Sequence, residues 1–482
     1  MAADRPIPAG QGAAAADWEA DDGPDAAETP MLGVIVPAGL FVVLLLLGLS
    51  PFGRLLNYLF TPAIMAMGLA LLYLRPVSYL GFTMWVWMLT PFYRRLSDVH
   101  GGYTDTSLVM LAPIAVTACC GLAIASNIRR GSPKAVWPYI GLMAVVIYGF
   151  FSGALQNGLP AATLALLNWV LPILFALHIL TLQEDAGEKA RQIMLAMVWG
   201  GLVIGVYGLI QYLILPAWDA VWMRGSALES IGAPIPRMVR VFSTLNSPGP
   251  YAQFVSASAL IAIATRSRMR WGSIVFSLIG LLLSLVRAAW GSWAIALVML
   301  FFWSNVRQKV AFAATALAAI LVITPAIAFS PLGETINARF ATLSNASSDT
   351  SYIERVDLYR RFSSTALSSI AGVGLGRTGV ISARLSGQSP DAVDATNNID
   401  SGVLEIFYTF GLLGAVFLAM FGAIYVTSWP DRSNPYGIAA MVVAMSCAPL
   451  VFFGNPLTGA SGMLLYPFVA LARLNRRTAD DD

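Results

Sequence analysis

"WGSIVFSLIGLLLSLVRAAWGSWAIALVMLFFW", residues 271–303, carries a single charge, Arg287, near its middle. As one helix of 33 residues it would be about 50 Å long. That is too long for one crossing of a hydrocarbon core about 30 Å thick. Both flanks are basic, with Arg266, Arg268 and Arg270 before it and Arg307 and Lys309 after it. Basic flanks favour the cytoplasmic side, so the stretch must cross an even number of times. It therefore reads as a hairpin of two arms, 271–286 and 288–303, with Arg287 at or just below the outer tip. Each arm is slightly short for a full crossing, which places the tip beneath the headgroups in a protein-lined cavity.

The rest of the chain has the same character. It is 57% hydrophobic and only 11% charged, against about 25% charged in soluble domains. Runs long enough to span recur at 32–49, 55–74, 76–92, 107–125, 136–154, 160–182, 192–215, 248–265, 309–330, 402–427, 435–453 and 458–472. With the hairpin arms these predict an all-α, polytopic membrane protein of about 14 transmembrane helices, in the range 12–14. Residues 1–30 are rich in Asp, Glu, Ala and Pro and read as a disordered acidic tail. They lack the basic start of a cleaved signal, so Met31–Leu49 reads as a retained first span.

Placing the N-terminus inside puts Lys134, Lys189, Lys309 and most arginines in inner loops. The short outer loops then hold only Arg54, Arg94, Arg95, Arg224, Arg237, Arg240 and Arg287. Both termini are expected in the cytoplasm, with 474–482 as an inner tail. The chain divides into the tail 1–30, helices over 31–330 with an outer loop at 216–247, a large outer loop 331–401, and helices over 402–473. A loop as long as 331–401 is uncommon unless it is functional or disordered. Within it "SYIERVDLYRRF" offers Ser351 and Glu354 in capping-box spacing. Asp357 and Arg361 stand one turn apart and can pair. An amphipathic helix lying along the outer boundary is expected there.

Chemistry is sought among the outer charges. An arginine near the membrane interior costs roughly 2.5–3.5 kcal/mol on insertion scales and is a functional candidate by default. A snorkelling anchor or a structural ion pair is the plainer account of Arg287. Arg240, in "RVFSTLNSPGPYAQF" (240–254), stands at the same outer level just before a span, with Arg237 three residues earlier. Asp400 opens "IDSGVLEIFYTFGLLG", with Glu405 about one turn inside the following run. Asp400 and Ser401 suit a helix cap, or Asp400 serves as a base beside the arginines. Asn246, Arg361 and Arg377 complete the candidates for binding substrate, with Arg237 and Glu405.

Other signals carry less. "GVGLGRTG" has Gly374, Gly376 and Gly379 in G-x-G-x-x-G spacing, but it lacks the strand–turn–helix setting of a dinucleotide site. A turn whose bare backbone approaches a neighbour explains it better. Cys119, Cys120 and Cys447 lie in apolar runs, and His100 and His178 have no metal-ligand company. No metal, cofactor or nucleic acid is expected. Phosphate, if handled, would be met by the bidentate fork of arginine.

Four segments in order resemble the O-antigen ligase and polymerase family: "RVFSTLNSPGPYA", "LSLVRAAW", "ERVDLYRRF…IAGVGLGRTG" and "IDSGVLEIFYTFGLLG". Together they cover roughly 240–415. Val286 stands where the family often has serine. Asp400 and Ser401 replace a typical His-Asn or Asp-Asn pair. The resemblance implies a metal-independent, inverting, GT-C-like glycosyltransferase in the bacterial inner membrane. It further implies a donor glycan on undecaprenyl diphosphate, used at the periplasmic face. Arg240 and Arg287 would then steady the leaving diphosphate, Asp400 would take the acceptor proton, and Arg355 would position diphosphate or sugar. The absence of a histidine at 400 favours an O-antigen or exopolysaccharide polymerase over a ligase that transfers to lipid A-core. A flippase or a scaffold for the same lipid-linked glycans is the rival class. The expected company is the bilayer, a chain-length-regulating copolymerase and a flippase.

Overall fold

The computed structural model describes residues 29–104, 106–127, 132–226, 228–265, 269–303, 309, 370–378, 399, 401–431 and 434–475. Over these residues the chain is helical, with one isolated β-bridge between Gly232 and Val239. The helices are α1 Thr29–Leu49, α2 Leu56–Leu74, α3 Pro76–Gly101, α4 Ala112–Asn127, α5 Pro133–Gln156, α6 Leu159–Thr181, α7 Ala186–Ile214 and α8 Ala217–Ser226. After these come α9 Pro248–Ala264, α10 Arg270–Leu283, α11 Arg287–Trp303, α12 Gly402–Phe410, α13 Leu413–Thr427, α14 Pro435–Cys447 and α15 Gly459–Leu474.

Six helical segments among the described residues are long and apolar enough to cross a bilayer: Gly53–Leu74, Leu108–Asn127, Pro133–Gln156, Leu159–Thr181, Ala186–Ile214 and Pro435–Phe452. Shorter apolar helices include α10, α11, α13 and α15. The protein is a helical membrane protein. The run 309–330 falls almost wholly outside the described residues, as do the tail 1–28, the helix expected at 351–362 and most of 331–401.

The 271–303 stretch breaks at Ser284–Val286. Leu285 takes a positive φ of 55° there, a conformation costly for a branched side chain. The break is tied from both sides. Trp290 of α11 donates its indole N–H to the Leu281 carbonyl at 2.8 Å, and the Val241 amide donates to the Leu283 carbonyl at 3.1 Å.

Two expected boundaries are corrected. The run 76–92 continues as helix to Gly101, because Arg94, Arg95 and Asp98 find partners instead of solvent. The run 402–427 is two helices, parted at Gly411–Leu412. Gly411 has φ 58° and meets the Ile370 carbonyl where a Cβ would be. The segment 216–247, expected as an outer loop, contains a helix, α8, whose Asp219, Trp222 and Met223 are buried.

Helix starts follow local chemistry. Proline stands in the first turn of α3, α5, α6, α9 and α14, where its missing N–H costs nothing. Asp185 caps α7 through the Glu188 amide at 2.9 Å, and Asn434 caps α14 through the amides of Tyr436 and Gly437. Buried Lys189 donates to the carbonyls of Ile179 and Leu182 at the end of α6, satisfying acceptors left over at a helix C-terminus.

Helices α9 and α15 form the middle of the bundle. From Ser461 to Ala472 every residue of α15 is buried, and α9 packs on α7, α10, α11, α14 and α15. Small residues let these helices close up. Gly201 of α7 faces Ser258 of α9 and Ser277 of α10, while Gly208 and Gly280 face the Tyr251 hydroxyl from two sides. The connections thereby sort into two ends. At one, Asn434 pairs with Asn475 and Arg473 donates to the Thr427 carbonyl. At the other lie the loop after α3, the α5–α6 turn, residues 215–247, the break at 284–286, the turn 370–378 and the loop 453–458.

Candidate functional site

The segment 240–246 enters α9 through a turn at Ser243–Thr244; the amides of Arg240, Val241 and Leu245 find backbone carbonyls, and side chains must satisfy other backbone groups of the segment. Two helices provide them. Gln211 of α7 accepts from the amides of Phe242 and Ser243 at 3.1 and 2.8 Å. Arg95 of α3 donates to the carbonyls of Leu245, at 3.1 Å, and Ser243. Thr244 and Ser243 donate their hydroxyls to the carbonyls of Met88 and Ile204. Ser243 itself adopts φ 51°, a strained geometry enforced by these bonds.

Arg95 is wholly buried and pairs with Asp219 of α8 at 3.0 Å. The opposite oxygen of Asp219 accepts from Tyr207 at 2.8 Å and from Gln211 at 2.9 Å. Trp218 in turn donates to the Tyr207 hydroxyl at 2.6 Å. The guanidinium also lies near the rings of Phe242 and Trp222, 5.0 and 5.8 Å from their centroids, and the two rings are themselves in contact. Burial raises the Asp219 carboxyl above its ordinary range, opposed by Arg95, Gln211 and Tyr207. Close by, Asp98 pairs with Arg94 at 3.3 Å. Burial pushes its carboxyl up to about 6, against the pull of Arg94 and Arg95.

This framework sets Arg240. Its amide donates to the Ile231 carbonyl at 2.9 Å, and its half-buried guanidinium reaches the Leu285 carbonyl at 3.5 Å. Leu285 is two residues before Arg287, which starts α11 and is half-buried. The two arginines thus flank one break at one end of the bundle. Helix α11 has no acidic residue in its first turn, and a helix N-terminus favours anions. The place brings two cationic side chains and a helix N-terminus to one break.

A second cluster lies at the same end. The Gly-rich turn 372–378 is threaded between α5, α6 and α12. Val373 and Gly374 donate to the carbonyls of Tyr408 and Thr409, each at 3.0 Å, and Leu375 donates to Gly149 at 2.8 Å. The side chain of Asn157 donates to the carbonyls of Val373 and Leu375. Gly374 has φ 72°, and a Cβ there would overlap the backbone of Gly153. The turn is a close-packed plug, as the bare-backbone reading expected. Glu405 of α12 is buried and accepts from Thr378 of this turn at 3.0 Å and from Asn455. Ser401 caps α12 through the Leu404 amide, and the Gly402 amide donates to Gly454 at 2.7 Å. Helix α11 packs on the 3-10 turn Pro449–Phe452 just before Gly454, which links the two clusters.

The remaining candidates are placed as follows. Arg237 is exposed at φ 64°, its amide bonded to the Tyr212 carbonyl at 2.7 Å. Asn246 is half-buried, with its amide nitrogen 3.8 Å from the Met110 sulfur. Arg377 is exposed on the Gly-rich turn. Arg355, Arg361 and Asp400 lie outside the described residues. Sequence reading missed Arg95, Gln211 and Asp219. The available signal was Asp219 within "WDAVWMR", where two tryptophans and the acid share one helical face.

Among the described residues no group of three or more His, Cys, Asp or Glu is placed to hold a metal ion. Residues 272–419 match the model of a family described as O-antigen ligase. The match takes in Arg287, the Gly-rich turn and α12, and begins after Arg240. No curated protein matches the chain.

Proposed function

We propose that this chain, which carries an O-antigen ligase family region over 272–419, is a polysaccharide polymerase of the GT-C-like type. It joins repeat units borne on undecaprenyl diphosphate at the periplasmic face of the bacterial inner membrane. A hydroxyl of one lipid-linked repeat attacks the anomeric carbon of a growing lipid-linked chain. The new glycosidic C–O bond forms as the bond to the diphosphate breaks, and that electron pair leaves with undecaprenyl diphosphate. Asp400 takes the hydroxyl proton as general base. Negative charge grows on the leaving group, so fixed cations around it are the main catalytic device. Arg240 and Arg287 fill that role, and the stored energy of the sugar–diphosphate bond makes a nucleotide or metal unnecessary. Arg355 and Arg377, with the loop 331–401, steady the glycan; Arg237, Asn246, Arg361 and Glu405 lie around it.

The observation that carries the reading is the reach of Arg240 to the Leu285 carbonyl beside Arg287. Two cations beside one helix N-terminus suit a diphosphate better than a sugar alone. The family is described as O-antigen ligase, which favours a ligase as the second reading; Asp400 in place of histidine speaks for the polymerase. The deciding experiment supplies purified protein with synthetic lipid-linked repeat alone, then with lipid A-core added. Polymer from repeat alone supports the proposal. Product formed only with lipid A-core makes it a ligase, and no product in either case removes the enzyme reading.

A further inference from the structure

The buried Arg95–Asp219 pair has no place in the transfer chemistry, yet it is an expensive feature. Taking two charges wholly out of water costs several kcal/mol per ion before their attraction is counted. Both side chains here are fully buried. An apolar pair of similar volume would serve stability as well or better. What an apolar pair cannot do is hold the carbonyls of Ser243 and Leu245, which the Arg95 fork does, or orient Gln211, which Asp219 does by accepting its amide. Gln211 then presents its oxygen to the amides of Phe242 and Ser243. Every bond converges on the residues directly after Arg240.

We propose that Arg95, Asp219 and Gln211, drawn from α3, α8 and α7, are positioning residues: a clamp that sets the Arg240 guanidinium against the hairpin break beside Arg287. The proposal rests on the reading of Arg240 as a group that meets the lipid-linked diphosphate. The clamp touches no substrate. It fixes four peptide groups between positions 241 and 246, and Ser243 in its left-handed conformation, so that Arg240 enters at one angle. A misplacement of about 1 Å at a catalytic group can cost on the order of 100-fold in rate. Loosening the clamp should therefore lower turnover more than it weakens capture of the substrate.

Two variants cut different bonds. Arg95→Lys keeps a cation opposite Asp219 but removes the fork that spans both carbonyls. Gln211→Leu keeps the ion pair and removes the acceptor for the Phe242 and Ser243 amides. Amide hydrogen exchange of the full-length protein in nanodiscs is read first. Exchange over 240–246 is expected to rise about tenfold or more, with α9, α10 and α15 unchanged. Polymerisation of lipid-linked repeat is read second. We expect kcat lowered about 10–100-fold, with the KM for the repeat within about threefold.

Unchanged exchange over 240–246 in both variants overturns the clamp. So does exchange that rises equally through α9, α10 and α15, which would make the pair a strut of the whole bundle. Loosened exchange with kcat unchanged, or with kcat and KM altered in parallel, overturns the positioning role. Wild-type protein that transfers no sugar overturns the function reading and this role with it, while the exchange result still reports on the clamp.

Discussion

Replacing Gly374 by alanine tests how the Gly-rich turn is built. The residue sits at φ 72°, where a Cβ costs roughly 1–2 kcal/mol. The added atom would also overlap the backbone nitrogen and Cα of Gly153 in α5. Backbone cannot rotate aside as a side chain can, so the turn must back away. That movement strains the bonds from Gly374 to Thr409 and from Leu375 to Gly149, and both donated by Asn157. At about 0.5–1.5 kcal/mol each, losing two of them brings the total to roughly 2–5 kcal/mol. Domains are commonly stable by only about 5–15 kcal/mol, so the loss should be plain. Cys119, Cys120 and Cys447 are all buried, and a thiol-reactive fluorophore reports their exposure on heating. Gly422→Ala is the control, since Gly422 lies within α13 with nothing within 4 Å of its would-be Cβ. Alanine there should hold or gain about 1 kcal/mol. Gly374→Ala is expected to lower the midpoint by several degrees while Gly422→Ala does not. A Gly374→Ala midpoint equal to wild type would refute the packed-plug account.

Three further outcomes are expected. Asp98 has a carboxyl raised to about 6 in the folded protein against about 4 unfolded, so its contribution is fully present below pH ~4 and lost as pH rises through ~6. Asp98→Asn should therefore gain on wild type by roughly 1–3 kcal/mol between pH 4 and 7, read by tryptophan fluorescence on heating; parallel pH profiles would show Asp98 to be solvated. Arg287→Ala, expressed at normal level, should abolish long-chain polysaccharide on glycan gels while single repeats accumulate on lipid; an unchanged chain-length ladder argues against its role. Asp400→Ala should lower turnover far more than binding of the lipid-linked glycan, and unaltered turnover would leave Asp400 as a cap beside Ser401.

The hairpin at 271–303 was legible because two independent constraints met there: the run was too long for one crossing, and its flanks bore the same charge. The break fell at 284–286, one to three residues before the lone arginine. The continuation of α3 was not legible. "RRLSD" at 94–98 reads as a solvated loop until its partners are known, and Asp219 and Ser243 lie far along the chain. The split between α12 and α13 was hidden for a related reason. "FGLLG" is apolar throughout, and only the approach of the turn at Ile370–Gly372 demands the bend at Gly411. Arg240 and Arg287 were visible as isolated outer charges. Their common neighbour Leu285 was not, because burial of a backbone carbonyl leaves no mark in composition.

The pairing of Arg240 and Arg287 on one lipid-borne diphosphate is the heart of the proposed function. Its most direct test is an experimental structure of the protein in nanodiscs with undecaprenyl diphosphate bound. Both phosphates are expected beside the 284–286 break, within about 4 Å of each guanidinium, with the polyprenyl tail running down between helices. Phosphates at the opposite end of the bundle, or touching neither arginine, would contradict it.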